Sequence, residues 1–267
     1  MKFLVGLYVQ QFKTTLATML AYRAMLLIWM IGQVLEPLVY LIVWSIVSNN
    51  NGGSVGDYTT SQFAAYYILL MLINQVTYTW IMYEFEYRIR EGILSFSLLR
   101  PVHPIHSDIA DNLSSKLITT PFMVVVAAVF AVFFHPSLAP QPWAIPLFLA
   151  ALALAFAVRF LLEWTLALAA FWTTRVSAIN QTYFVVMLFL SGQFAPLTLY
   201  PSSIQALAYI LPFRWLITYP IDLISGRLTL NEALIGLGAQ VIWLMICYVI
   251  LQVVWRRGLR VYSAVGA

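Results

Sequence analysis

Long apolar runs constrain this chain more than any other feature. Residues 24–47, 61–83, 113–134, 143–172 and 234–255 form five such runs. Each reaches the roughly 20 residues needed to cross about 30 Å of hydrocarbon. A sixth, residues 178–200, is more polar but still long enough. Only 9% of the 267 residues are charged and 62% are hydrophobic, where a soluble domain carries about a quarter charged residues. No aqueous interior can hide that much apolar surface, so the solvent is lipid. The expected fold is therefore an all-α membrane protein with six transmembrane helices, a single transmembrane domain over residues 1–267.

Six spans place both termini on one side, and the positive charges say which. Eleven of the 14 Lys and Arg residues fall on the face that holds the termini. They are Lys2, Lys13, Arg23, Arg88, Arg90, Arg100, Lys116, Arg175, Arg256, Arg257 and Arg260. The other face has Arg214 and Arg227, and Arg159 lies within a span. The positive-inside rule puts both termini in the cytoplasm and reads the +4 net charge as a membrane topology signal, with no nucleic-acid partner. Cys247 is the single cysteine, which excludes an internal disulfide and a CxxC site.

Two segments flank this pattern. In residues 1–23, Leu4, Tyr8, Phe12, Leu16 and Leu20 recur every four residues, as in an amphipathic helix lying in the cytoplasmic interface against membrane lipids. Residues 196–227 are apolar but interrupted by Pro196, Pro201, Pro212 and Pro220. Proline removes a backbone donor, and irregular backbone at membrane depth needs protein around it. Short re-entrant helices between spans five and six, at the outer face, fit these residues. Residues 48–57, "SNNNGGSVGD", read as a flexible external loop.

Charge is scarce, yet Glu84, Glu86, Arg88, Arg90 and Glu91 gather within eight residues of the longest cytoplasmic loop. Phe85, Ile89, Ile93 and Phe96 form an apolar stripe at helical spacing. Glu84 with Arg88, and Glu86 with Arg90, are i,i+4 pairs in the favourable order. Pro101 and Pro104 end the segment. The pattern suits a solvated connector and a docking helix equally, since docking combines apolar anchors with charges that fix register.

"IREGILSFSLLRPVHPI" resembles the cytoplasmic loop of type-2 ABC transporter permeases, the exporter class also called type V. In particular it resembles the subgroup with Arg-x-Gly-x-Leu followed by Leu-Leu-Arg-Pro, matched here by Arg90, Gly92, Leu94 and residues 98–101. It departs at Ser95 and Ser97, where members often carry an acidic or apolar residue. "RFLLEWTLALAAFWTTR" is similar to that subgroup's fourth span. "SGQFAPLTLYP", "LPF" and "TYPIDLISG" are similar to its fifth span and the re-entrant helices after it. The resemblance implies that residues 84–100, including Gly92 and Arg100, form a coupling helix, with Pro101 next to it at the same contact, seated in a separate ATPase subunit. It also implies two ATPase copies, ATP and Mg held by that partner, and a second permease protomer, identical or a different paralogue. The location implied is a bacterial inner membrane. No GxxxxGK[ST] loop occurs in the chain, which accordingly is expected to be no enzyme and to hold no cofactor itself.

Polar residues inside apolar runs are functional candidates by default. Trp29, Gln33, Glu36, Tyr40 and Trp44 share one helical face of the first span. The favoured reading of Glu36 is a hydrogen-bonded glue between spans, ahead of a substrate contact. Arg159 and Glu163 form an i,i+4 pair in the fourth span, about 24 Å deep from Trp143, expected to neutralise each other in a structural role. Ala151 with Ala155, and Ala153 with Ala157, give small-xxx-small spacing for close helix contact. His103 and His106 lack a third ligand for a metal. The rivals to an exporter permease are an intramembrane lipid-processing enzyme centred on Glu36, Arg159 and Glu163, and an ion-coupled transporter. The latter should show inverted repeats and helices broken at mid-membrane.

Overall fold

Apolar periodicity and proline placement resolve into twelve helices and one two-stranded ribbon in the computed structural model, which describes residues 2–173 and 176–262. Arg175, counted above as a cytoplasmic charge, lies outside the described residues. Helix α1 spans Lys2–Ala21 and α2 Arg23–Asn50; strands β1 (Ser54–Val55) and β2 (Tyr58–Thr59) follow, then α3 (Thr60–Thr77). Next come α4 (Ile81–Arg90), α5 (Ile93–Leu98), α6 (Ile105–Phe134) and α7 (Ala144–Ala167), which tightens into a 3-10 turn over Leu168–Phe171. The rest comprises α8 (Val176–Leu190), α9 (Ser202–Ile210), α10 (Phe213–Leu216), α11 (Thr218–Ile224) and α12 (Leu230–Val261).

Among the described residues, four helices are long and apolar enough to cross a membrane: α2, α6, α7 with its 3-10 extension, and α12, of 28 to 32 residues. Large apolar side chains such as Ile28, Val125 and Val249 point outward from them, as lipid-facing surface requires. The second and fifth expected spans are shorter than the sequence suggests. Helix α3 stops at Thr77 rather than continuing to residue 83, and α8 stops at Leu190 rather than 200.

Helix α3 is the centre of the bundle, with twelve of its 18 residues buried. That position explains its polar content. Tyr66 donates to the Gly192 carbonyl at 2.8 Å and Tyr67 to that of Phe194 at 2.8 Å. These bonds hold the turn that closes α8. Gly192 has φ +84, and a Cβ there would stand 2.2 Å from Thr218 Oγ1, so only glycine fits. A capping box starts α3, with Thr59 and Gln62 exchanging bonds, and another starts α12, with Thr229 and Glu232.

Helices α7 and α12 pack along each other. Ala151 and Ala155 are fully buried, and Gln240 donates to the Ala151 carbonyl at 3.0 Å. The second small-residue pair does not serve this way, because Ala153 is exposed. Helix α1 lies against α6, with Leu4, Tyr8, Phe12 and Leu16 half-buried but Leu20 exposed. Gln11 and Thr15 both donate to Asp111 of α6, at 3.1 and 2.7 Å.

The proline-rich stretch folds as short pieces. Pro201 and Pro212 immediately precede α9 and α10, where the missing N–H costs nothing. Residues 54–59 are a paired ribbon rather than a flexible loop, pinned by Arg227, whose guanidinium lies 3.6 Å from the Tyr58 ring centre and donates to the Asp57 carbonyl.

Candidate functional site

A helix that stops within apolar surroundings leaves its last carbonyls to be satisfied by something else. Helix α3 does so at Thr77; residues 78–80 belong to no helix, and α4 begins at Ile81. The Tyr78 N–H closes back on the Asn74 carbonyl at 2.8 Å, and the Thr77 hydroxyl donates to Ile73 at 2.8 Å. Lys116 of α6 reaches across and donates to the Tyr78 carbonyl at 2.6 Å.

The expected Arg159–Glu163 pair lies directly behind this break. Arg159 Nε donates to Glu163 Oε1 at 2.8 Å. Its Nη1 donates to Asn74 Oδ1 at 2.9 Å and to Thr77 Oγ1 at 3.0 Å. The guanidinium stands 5.4 Å from the Tyr78 ring centre. Glu163 also accepts from Tyr183 of α8 at 3.0 Å and from the Thr79 hydroxyl. Both ionic side chains are buried and both are paired, as low-dielectric surroundings demand. One cluster thus joins α3, α7 and α8 and fixes where the chain turns from α3 into α4.

The charged segment is anchored to the same place. Glu84 and Arg88 pair at 2.6 Å, as the spacing predicts, but Arg88 also binds Asp108 at the start of α6 at 2.6 Å. Asp108, its side chain 1% exposed, accepts the Trp164 indole N–H at 2.9 Å. Arg88 therefore ties α4 to α6, and Asp108 ties α6 to α7. Burial alone would lower the Arg88 pKa; Asp108 and Glu84 outweigh it and hold the pKa above the ordinary value.

Three expectations for residues 84–100 need correction. The segment is two helices, because Gly92 adopts φ +70 between α4 and α5, a left-handed turn that glycine takes without steric cost. The apolar stripe consequently splits. Phe85 is fully buried, its ring 5.4 Å from that of Trp164, and Ile89 is half-buried, whereas Ile93 is exposed and Phe96 is 70% exposed. Leu99 joins Phe96 outside at 83% exposure, beside exposed Arg100 and Pro101. Finally, Arg90 pairs with Glu91 at 3.4 Å rather than with Glu86. Ser95 shares a 2.8 Å bond with Tyr262, which attaches α5 to the end of α12. His103 packs on Trp255 at 4.6 Å, and burial, then His106, lower its pKa. The described residues contain no group of three or more metal-ligating side chains.

An open cleft of about 430 Å³ lies between α2, α3, α7 and α8. Gln33, Glu36 and Arg159 line it together, with Asn74, Tyr78 and Gln193. Glu163 is outside this lining, fully buried behind Arg159. Glu36 is exposed, and its bond is with Tyr40 of its own helix at 3.4 Å. Among the described residues it glues no second helix. Trp44 does that instead, donating to the Phe194 carbonyl at 2.9 Å.

Sequence reasoning missed Asn74, Thr77, Thr79, Asp108, Lys116 and Tyr183 as site residues. Asn74, inside the apolar run 61–83, and Lys116, inside 113–134, are the two whose polarity within a run is a signal.

Apolar spanning helices around a buried polar cluster define an all-α integral membrane protein. Residues 34–266 match the ABC-2 family transporter proteins, and the chain belongs to that family. It is a permease subunit of an ABC transporter, the membrane component that works with an ATPase subunit. Comparison with curated proteins finds no match.

Proposed function

We propose that this chain is the membrane half of an ATP-driven exporter, moving an amphipathic or lipid-like molecule outward with a separate ATPase subunit that binds ATP and Mg. In this reading α3 and α8 complete six spans with the four long helices, and residues 196–227 re-enter the outer leaflet. Both termini lie in the cytoplasm, and α4 and α5 together dock on the ATPase. A second permease protomer, identical or a paralogue, faces the cleft of Gln33, Glu36 and Arg159, because one bundle of this size encloses no pathway.

The observation that carries the coupling role is the exposure of Phe96 and Leu99 beside Arg90, Glu91 and Arg100, on a segment whose other end is bolted to the bundle by Arg88. Apolar anchors framed by charges are what a protein groove recognises. An intramembrane enzyme is less well supported, since Arg159 and Glu163 already spend their bonding capacity on each other and on Asn74, Thr77, Thr79 and Tyr183.

The test is affinity purification of the tagged chain from its native membranes with assay of ATP hydrolysis. Wild type should bring an ATPase subunit with it, and Phe96→Asp with Leu99→Asp should lose that subunit while keeping its helical circular dichroism. ATPase retained at wild-type stoichiometry by the double variant would refute the docking role of α5.

A further inference from the structure

A second cavity, of about 440 Å³, opens between α1, α2, α3, α4 and α6, on the other side of the α3–α4 break from the cleft. Gln33 and Tyr78 line both spaces. Four aromatic side chains border it: Tyr22, Trp29, Tyr78 and Trp80. The rings of Trp29 and Tyr78 stand 6.5 Å apart at 47°, and those of Tyr78 and Trp80 stand 6.4 Å apart at 50°. They are tilted walls rather than a stack. One ring already holds a cation, since the Arg159 guanidinium is 5.4 Å from that of Tyr78.

The charges point the same way. Glu84 and Asp111 line the cavity, with Lys116 as its one cationic side chain. Lys116 directs a donor to the Tyr78 carbonyl. Arg88 sits between two carboxylates, Glu84 and Asp108, and can offset only one of them. Asp111 receives hydrogen bonds from neutral donors, Gln11 and Thr15, and Lys116 is near enough to feel its charge. Setting Arg88 and Lys116 against Glu84, Asp111 and the adjoining Asp108 leaves one negative charge beside exposed aromatic faces and the apolar side chains of Met19, Met25 and Leu26. A ring face attracts a cation, most strongly where water is thin, and a nearby carboxylate adds Coulomb attraction.

We infer that this cavity is a binding site for an amphipathic organic cation, with its ammonium- or phosphonium-type centre among Trp29, Tyr78 and Trp80 and facing Asp111. The inference rests on the reading of the chain as a permease for amphipathic molecules and gives that substrate a charge. The shared chemistry could be a choline lipid headgroup or a free cationic amphiphile, and two bilayer compositions separate these sources.

The probe is radiolabelled tetraphenylphosphonium, measured by equilibrium binding to the full chain in nanodiscs. Tetraphenylborate, of similar shape and opposite charge, is the control. Wild type should bind the phosphonium saturably and the borate only as empty nanodiscs do. Trp29→Ala, and separately Asp111→Asn, should each weaken phosphonium binding roughly tenfold. Trp29 is partly exposed, so its loss leaves the bundle packed, and Asp111→Asn keeps an acceptor for Gln11 and Thr15. Weaker phosphonium binding in phosphatidylcholine than in equally uncharged phosphatidylethanolamine nanodiscs supports the site with a choline headgroup as its occupant. Equal binding in both supports the site with a free cation. Equal binding of phosphonium and borate, or wild-type affinity in both variants, overturns the inference. Either failure leaves ATPase co-purification, the test of the permease reading, unchanged.

Discussion

Arg88 and Arg90 are two residues apart in a charged segment, yet their replacement should have very different consequences. Arg88→Met keeps most of the apolar stem but removes the cation between Glu84 and Asp108. Asp108 is then a carboxylate with a 1% exposed side chain whose remaining partner is the Trp164 indole. Stranding one member of a buried ion pair costs about 3–5 kcal/mol. The Arg88 side chain is 20% exposed, which places the cost near the lower end. At roughly 2 °C per kcal/mol for a chain this long, the melting temperature should fall by about 6 °C. Arg90→Met should move it by about 1 °C or less, because the 3.4 Å Arg90–Glu91 pair is at the surface and worth roughly 0–1 kcal/mol. Adding Asp108→Asn to Arg88→Met removes the stranded charge and leaves an amide oxygen for Trp164, so at least half of the loss should return. The assay is thermal unfolding of the purified protein followed by tryptophan fluorescence, with circular dichroism to confirm helix content. A melting temperature for Arg88→Met within 1 °C of wild type would refute the reasoning, as would a double variant no more stable than the single one.

Glu163→Leu should destabilise by about 3–5 kcal/mol, because it strands Arg159 along with the Thr79 and Tyr183 hydroxyls; retained thermal stability would show that Asn74 and Thr77 suffice for the guanidinium. Gly236→Ala should lower the yield of folded protein on size-exclusion chromatography, since its Cβ would lie 2.0 Å from the Tyr219 ring, which is itself fixed by a 2.6 Å bond to the Ala233 carbonyl. In a Cys247→Ala background, cysteines at Gly53 and Ser203 should react with an impermeant maleimide from outside and one at Ser97 only from inside; external labelling at Ser97 would reverse the orientation.

Composition and periodicity made the membrane class, the four long helices and the broken 196–227 region legible, because hydrocarbon length and proline chemistry are local rules. Glu84–Arg88 and Arg159–Glu163 were legible for the same reason, being neighbours on one helix. What the sequence hid is long-range. Lys116 bonds a carbonyl 38 residues away, and Trp164 meets Asp108 across 56. The ends of α3 and α8 were overrun because Tyr78 and Trp80, or Phe194 and Ala195, are as apolar as a span interior. Their breaks depend on partners from other helices. Gly92 was visible as a letter, but its left-handed turn, and with it the burial of Phe85 and the exposure of Phe96, followed from packing against Trp164.

A helix carries axial load through its ladder of backbone bonds, and that ladder is interrupted at residues 78–80. Whatever displaces α4 therefore cannot push α3 as one rod. The thrust leaves sideways, through the Arg88–Asp108 strut into α6, through Asp108–Trp164 into α7, and through Thr79 and Lys116 at the gap itself. If α4 lies in the cytoplasm as proposed, a stroke delivered to it would reach α6 and α7 first and the central helix second. The bundle would respond as a frame racked at its joints, with α3 as the post around which the other members turn.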